Sequence, residues 1–294
     1  MTAIHTRRSS VWIVILAATL TVAALNESSG QDRYSRGQNL VPTFDGWEEN
    51  PDGTFNMVFG YLNRNYEERL DLPIGPTNNL EPGGPDQGQP THFLPRRNRY
   101  VFRVKVPRDF GNKELVWTIT AHGKTERAYA TLKPEYVMDR HIIMTNNGVR
   151  NIDSDQNIPP TIRLEGDLRR TVKVGEPLAL TAFVSDDGVP KPRRALEGRR
   201  RRIGLRVAWF VYRGAETVTF DPEQFNVYPD FSGNSPFSPG WTPPPVPPGG
   251  KYTVTATFSA PGTFVLRVMA HDGALDSTQD VTVTVNPPAT DLHR

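Results

Sequence analysis

Gly262 to Val285 read GTFVLRVMAHDGALDSTQDVTVTV, and their apolar residues recur at every second position. On the first arm Phe264, Leu266, Val268 and Ala270 alternate with Val265, Arg267, Met269 and His271. On the second, Val281, Val283 and Val285 alternate with Thr282 and Thr284. Period-two alternation sends successive side chains to opposite faces of an extended strand, so one face is buried and the other is solvated. A short polar loop joins the arms, which makes the stretch an antiparallel hairpin. It reads as the closing pair of a β-sandwich around which the second half of the chain is organised.

The rest of the chain repeats this theme. Phe55, Met57, Phe59 and Tyr61 alternate after a turn at Asn50-Pro51-Asp52-Gly53, and Tyr100, Phe102, Val104 and Val106 repeat the pattern. Leu115–Thr120, with Trp117, and Arg127–Leu132 flank the tight connection Ala121-His122-Gly123-Lys124, a hairpin signal. Further strands are expected at Thr161–Leu164, Thr171–Val174, Pro177–Ser185, Leu205–Tyr212, Thr217–Phe220 and Tyr252–Phe258. In 294 residues there are 27 prolines and 24 glycines, a composition of short strands and punctuated turns that supports an all-β class. That length suits two domains, each with its own core.

Two features set the compartment. Arg7-Arg8 precede the uncharged apolar run Val11–Leu25, with Ser28 and Gly30 flanking a cleavage point before Gln31, which is the pattern of an export signal. Cysteine is absent, which excludes disulfides, thiolate nucleophiles and cysteine metal sites. A net charge of +2 gives no global field toward nucleic acid. The expected organisation is a signal helix at 1–30, a flexible segment at 31–40, a β-sandwich at 41–137, a linker at 138–160, a second sandwich at 161–286 and a tail at 287–294.

Residues of the second half also carry a resemblance. Val174-Gly175-Glu176-Pro177-Leu178, Ser185-Asp186-Asp187-Gly188, Trp209 on a middle strand and Ala270-His271-Asp272-Gly273 at the hairpin bend resemble the PKD-like and cadherin-like branch of immunoglobulin-type sandwiches. The tryptophan is followed by Phe210-Val211-Tyr212-Arg213-Gly214, where PKD repeats usually carry a glycine-aspartate-glycine turn. The resemblance implies adhesion, spacing or surface display. Asp153-Ser154-Asp155-Gln156-Asn157-Ile158-Pro159 resembles the cadherin interdomain linker, which implies calcium at Asp153, Asp155 and Asn157, with Gln156 standing where that pattern has an aspartate. The alternative is a solvated linker.

Catalytic patterns are weak. His92, His122, His141, His271 and His293 are scattered, with no HExxH and no GxSxG elbow. Glu48-Glu49, Glu67-Glu68 and Asp186-Asp187 are adjacent pairs, and strand neighbours point to opposite faces. Three loops remain as recognition surfaces. Pro73–Arg97 is either a binding loop presenting Asn78, Asn79, Asp86 and His92 or a structural crossover. The arginines between Lys191 and Arg206 either hold an anionic glycan or headgroup, or are a charged loop. Pro236–Gly250, with Phe231, Phe237 and Trp241, is either a stiff loop or a docking segment.

The chain therefore reads as an exported, non-catalytic structural, adhesion or binding module of the periplasm or cell surface. The alternatives are a carbohydrate-binding or enzyme-accessory protein and, less favoured, a glycan hydrolase. Neither a catalytic residue, a cofactor site nor a firm metal ligand is assigned. The expected partner is a surface or periplasmic protein or an anionic glycan, with no nucleic acid, and membrane contact arises only through an uncleaved leader.

Overall fold

The alternation found in the sequence becomes sixteen strands in the computed structural model, which describes residues 34–149, 155–191, 204–215, 217–228, 236 and 241–288. The protein is all-β. The signal segment, Asp153, Arg193–Arg202, Phe231, Phe237 and His293 lie outside the described residues.

The first sandwich packs the sheet β1 (Leu40–Glu49), β2 (Phe55–Asn63) and β6 (Arg96–Val106) against the sheet β4 (Asn78–Glu81), β7 (Leu115–Ala121) and β8 (Lys124–Ala130). A two-stranded ribbon, β3 (Leu70–Asp71) with β5 (His92–Phe93), closes one end. The alternating aromatics meet between the layers: Phe59 stacks on Phe102 at 5.2 Å, and Trp117 sits edge-on to Phe102 at 4.9 Å. Aromatic pairs in these arrangements add about 0.5–1.5 kcal/mol beyond the area they bury.

The second sandwich is immunoglobulin-like in strand order. One sheet runs β9 (Thr161–Leu164), β11 (Leu178–Ser185), β14 (Lys251–Phe258), β13 (Val218–Asp221). The other runs β10 (Arg169–Lys173), β16 (Asp276–Asn286), β15 (Gly262–His271), β12 (Arg206–Arg213), with β10 parallel to β16. The opening strand thus divides between the two sheets, as in immunoglobulin sandwiches. Trp209 is 1 % exposed at the centre, among Leu266, Val268, Phe258 and Val283.

Three stretches differ from the sequence reading. Tyr34–Asn39, read as flexible, is held by hydrogen bonds: the N–H groups of Glu67 and Glu68 donate to Ser35 O, and Gly37 N donates to Glu68 Oε2 at 2.7 Å. Strand β1 follows at once, its alternation hidden by Pro42, Asp45 and Gly46. The linker contains a helix, α1 (Arg140–Asn146), capped by Asp139 Oδ1, which accepts from Ile142 N at 2.9 Å. Ile143 and Met144 of this helix pack with Val58 and Tyr100 of the first sandwich and with Ala274 and Leu275 of the second. Two turns of helix are short for periodicity to reveal, and burial between two bodies stabilises them instead.

Pro73–Arg97 is the structural crossover of the two readings. Asn78, fully buried, accepts from Trp117 Nε1 at 2.9 Å and donates to the carbonyls of Leu72 and Pro90. Replacing it by alanine strands three buried polar groups. Asn78→Ala is expected to lower the unfolding free energy by about 2–4 kcal/mol, against less than about 1 kcal/mol for the half-buried Asn79→Ala, as read by urea denaturation.

Candidate functional site at the junction of the sandwiches

The crossover does more than span the first sandwich. Its glycines and prolines expose backbone carbonyls, and Gln87 and Gln89 bond back into the loop to hold it. Tyr212 Oη donates to Gly88 O at 2.6 Å, Arg213 Nε donates to Gln89 O at 2.9 Å, and Thr91 N donates to Tyr212 O. Arg213 also forks onto Asp86 at 2.7 and 3.0 Å, which holds that carboxyl below its ordinary range.

Beside this clamp, Arg267 of β15 lies over the Tyr212 ring, its guanidinium carbon 3.4 Å from the centroid. It forks onto Asp280 at 2.7 and 2.8 Å and donates to Val101 O of the first sandwich at 2.9 Å. Burial opposes its charge, but Asp280 with Tyr212 and Tyr228 together outweigh burial and the pKa is raised. Burial pushes the Tyr212 phenol up to about 12 and raises Tyr228 further. Glu48 and Arg103 form a forked pair at 2.9 and 3.1 Å, and burial raises the Asp276 carboxyl against the pull of Arg103, Arg206 and Arg267.

The linker cluster is divided. Asp155 points to solvent, 3.6 Å from His141, while Asn157 is fully buried. The two do not converge. Asn157 instead bonds to Asp272, a carboxyl the sequence had placed in a separate turn. Asn157 Oδ1, Asp186 Oδ1 and Asp272 Oδ2 are all buried without a hydrogen-bond partner. Asp186 and Asp272 line one cavity of about 510 Å³. Asp272 is 1 % exposed; its Oδ1 accepts from Ala274 N and Leu275 N, ordering the β15–β16 turn. Burial, with Asp186 adding to it, pushes its carboxyl up to about 6 against the bonds from Leu275, Ala274 and Asn157. Burial likewise raises Asp186, with Asp187 adding to it. Among the described residues no three His, Cys, Asp or Glu side chains are grouped as a metal site, so a cation here relies on amide and backbone oxygens as well.

The other residues singled out from sequence take separate roles. His92 is buried against Asp71 at 2.6 Å, and His122 pairs with Glu68 at 3.2 Å. His271 sits at the junction, its Nδ1 accepting from Gly273 N at 2.8 Å. Glu49 and Glu67 are exposed beside their bonded neighbours. Trp241 packs edge-on to Phe225 at 5.4 Å, docking part of the proline-rich segment. The sequence reading missed Arg267, Tyr212 and the role of Asp272, because each finds its partner in a distant segment.

No protein-family model matches the chain, and no curated protein matches it in sequence. Among solved structures it is similar to a titin–obscurin-like 1 Ig complex, at 16 % identity over 45 % of this chain and 98 % of that one, with a TM-score of 0.24. It is also similar to the fibronectin(III)-like modules of CbhA from Clostridium thermocellum, at 12 % identity over 90 % of this chain and 98 % of that one, TM-score 0.25. A conjugative transposon lipoprotein from Bacteroides eggerthii is similar at 11 % identity over 42 % of this chain and 96 % of that one, TM-score 0.26. The immunoglobulin-like assignment rests on the strand order itself.

Asp272 makes the junction pH-dependent. Its carboxyl holds a proton more tightly folded than unfolded, so the native state binds the extra proton between pH 3.8 and about 6. Stability is then greatest below that window, falls as pH rises through it, and stays lower above it. In metal-free buffer this one group is expected to remove on the order of 2–3 kcal/mol between pH 4 and pH 7. Asp272→Asn keeps the Oδ1 acceptor, and urea titrations across pH should show that part of the slope gone.

Proposed function

We propose that the protein is a non-catalytic spacer and binding module working outside the cytoplasmic membrane, in the periplasm or at the cell surface. It is two sandwiches held as one stiff arm, whose loops meet a surface or periplasmic protein or an anionic glycan. The observation that carries this reading is the interlock: Arg267 and Tyr212 of the second sandwich bond to Val101 and Gly88 of the first. A stiff arm presents its ends at fixed spacing, whereas a hinge spreads them over a range. The Arg7–Gln31 stretch supports export, and the engagement of each described histidine in an ion pair or a turn supports a structural use of those side chains.

Calorimetry of the full chain tests the interlock. The unaltered protein should melt in one transition. Arg267→Met leaves the half-exposed Asp280 and the Val101 carbonyl without their partner, a loss of about 1–3 kcal/mol once solvent screening of Asp280 is allowed for, and should split the melt in two. Arg267→Lys should not restore it, because an ammonium cannot fork or stack as guanidinium does. One transition at unchanged temperature in Arg267→Met would sink the reading.

Asp186 and Asp272, which line one cavity and each carry a buried oxygen without a hydrogen-bond partner, support a second element, a calcium ion held between them. Oxygen donors suit a hard cation, and these two carboxyls supply part of the roughly six to eight oxygens calcium takes. Calcium should raise the melting temperature of the unaltered protein and leave the double variant Asp186→Asn, Asp272→Asn unmoved. Identical melting in calcium and in chelator would remove the ion from the account.

A further inference from the structure

A cavity of about 310 Å³ opens at the opposite side of the β15–β16 turn, between Arg96, Arg97, Arg99 and Tyr100 of β6 and Arg206 and His271 of the second sandwich. How one strand delivers three arginines and a tyrosine to one cavity is informative, since a regular strand divides neighbours between two faces. Strand β6 is bulged here: Phe102 pairs with Phe59 and Asn98 with Tyr61, so residues 99–101 stand against Gly60 alone. Arg96 (φ 64°) and Tyr100 (φ 56°) are left-handed, a conformation few non-glycine residues adopt.

Several bonds hold this strained arrangement. Buried Asn98 donates to the carbonyls of Pro95 and Arg96. Asp45, with 4 % of its side chain exposed, accepts from Tyr100 N at 2.9 Å and Arg97 Nη2 at 2.5 Å. A Cβ at Gly60 would stand 2.5 Å from Asn98 O and from Asp45 Oδ2, so only glycine fits under the bulge. Strain over-determined in this way is characteristic of ligand clamps.

The charge of the cavity is one-sided. Four guanidinium groups line the cavity, with Asp276 beside them and Arg97 bonded to Asp45 beneath. Arg99, exposed, spends one nitrogen on Asn146 O; Arg96 donates Nη1 to Arg64 O at 2.8 Å and lies over the Tyr66 ring, while its Nε is buried without a partner. Tyr100 Oη accepts from Asn146 Nδ2 at 2.8 Å, which leaves its own hydrogen to donate. Gly273 N–H occupies His271 Nδ1, so the neutral ring carries its proton on Nε2 and is a second donor. Met269 and Val227 supply an apolar wall.

We propose that this cavity binds a single uronic-acid ring, its carboxylate received by the arginines, its hydroxyls by Tyr100 and His271, and its C–H face by Met269 and Val227. The forked geometry of guanidinium matches a carboxylate. The volume is near the small end of ligand pockets, about 300–1,000 Å³, which suits one ring. The ligand is an addition to the spacer, which stands or falls on its own calorimetric test.

Isothermal titration of the full chain with D-glucuronate, D-galacturonate and neutral D-glucose tests it. At least one uronate should bind one-to-one and glucose should not. Arg99→Gln, at an exposed position that leaves the core intact, should weaken that binding about tenfold, as should Arg206→Gln if it melts like the unaltered protein. Added salt should weaken it as well. Serine at all four positions of Arg199–Arg202 should leave the affinity unchanged. Silence with both uronates, equal affinity for glucose, binding of inorganic phosphate in place of a uronate, or uronate affinity unchanged in Arg99→Gln would overturn the assignment.

Discussion

The guanidinium of Arg267 joins an aromatic ring, a carboxylate and a backbone carbonyl at the junction. It stacks on Tyr212, forks onto Asp280, and reaches the Val101 carbonyl across the boundary. A surface ion pair contributes about 0–1 kcal/mol, but here the arginine is withdrawn from water, with 12 % of its side chain exposed against 38 % for Asp280. In that setting the aromatic face and the second carboxylate oxygen are needed to offset desolvation, and a cation over a desolvated ring adds about 2 kcal/mol. Tyr212 in turn is positioned by the carbonyl of Gly88. The glycine-rich crossover, the second sandwich and the first are thus joined through two adjacent side chains.

Alternation made most of this fold legible. The faces of β15 and β16 fall as their apolar spacing requires, and Trp209 takes the central place that its position suggested. Residues whose partners lie far off in sequence were not legible. By alternation Arg267 belongs to the outward face, which is correct for the second sandwich alone; the first sandwich covers that face. The crossover gave no periodicity because its contribution is made by carbonyl groups and by Gln87 and Gln89. Composition distinguishes neither from a mobile loop. The bulge at Arg96–Tyr100 was equally hidden, since Tyr100, Phe102, Val104 and Val106 alternate without any sign that pairing slips before Phe102.

The linker shows why a motif read along one segment misplaces its chemistry. In an extended chain Asp155 and Asn157 share a face, so together they resemble a ligand pair. A 3₁₀ turn through Asp155-Gln156 breaks that spacing. Asp155 swings toward His141 and solvent, and Asn157 turns beneath α1, its Nδ2 3.8 Å from Met144 Sδ. The Asn157 amide bonds to Asp272, which lines one cavity with Asp186, and that adjacency depends on the closure of the whole sandwich. A buried, unpaired carboxylate such as Asp272 is costly, and the half-buried Asp186 beside it adds to that cost.

A near-neutral chain thereby carries two poles a single peptide apart. His271 lines the arginine cavity while Asp272 lines the carboxylate cavity. The same division holds on the neighbouring strand, where Leu205 faces the carboxylates and Arg206 the guanidinium cluster. Extended backbone turns successive side chains to opposite sides, so the ends of β12 and β15 act as the partition between the poles. Net charge describes such a molecule poorly, because the field felt by an approaching ion is set by which side of that partition it meets. The geometry that makes a sandwich amphipathic therefore also sorts its junction into one face lined by guanidinium groups and one lined by carboxyls.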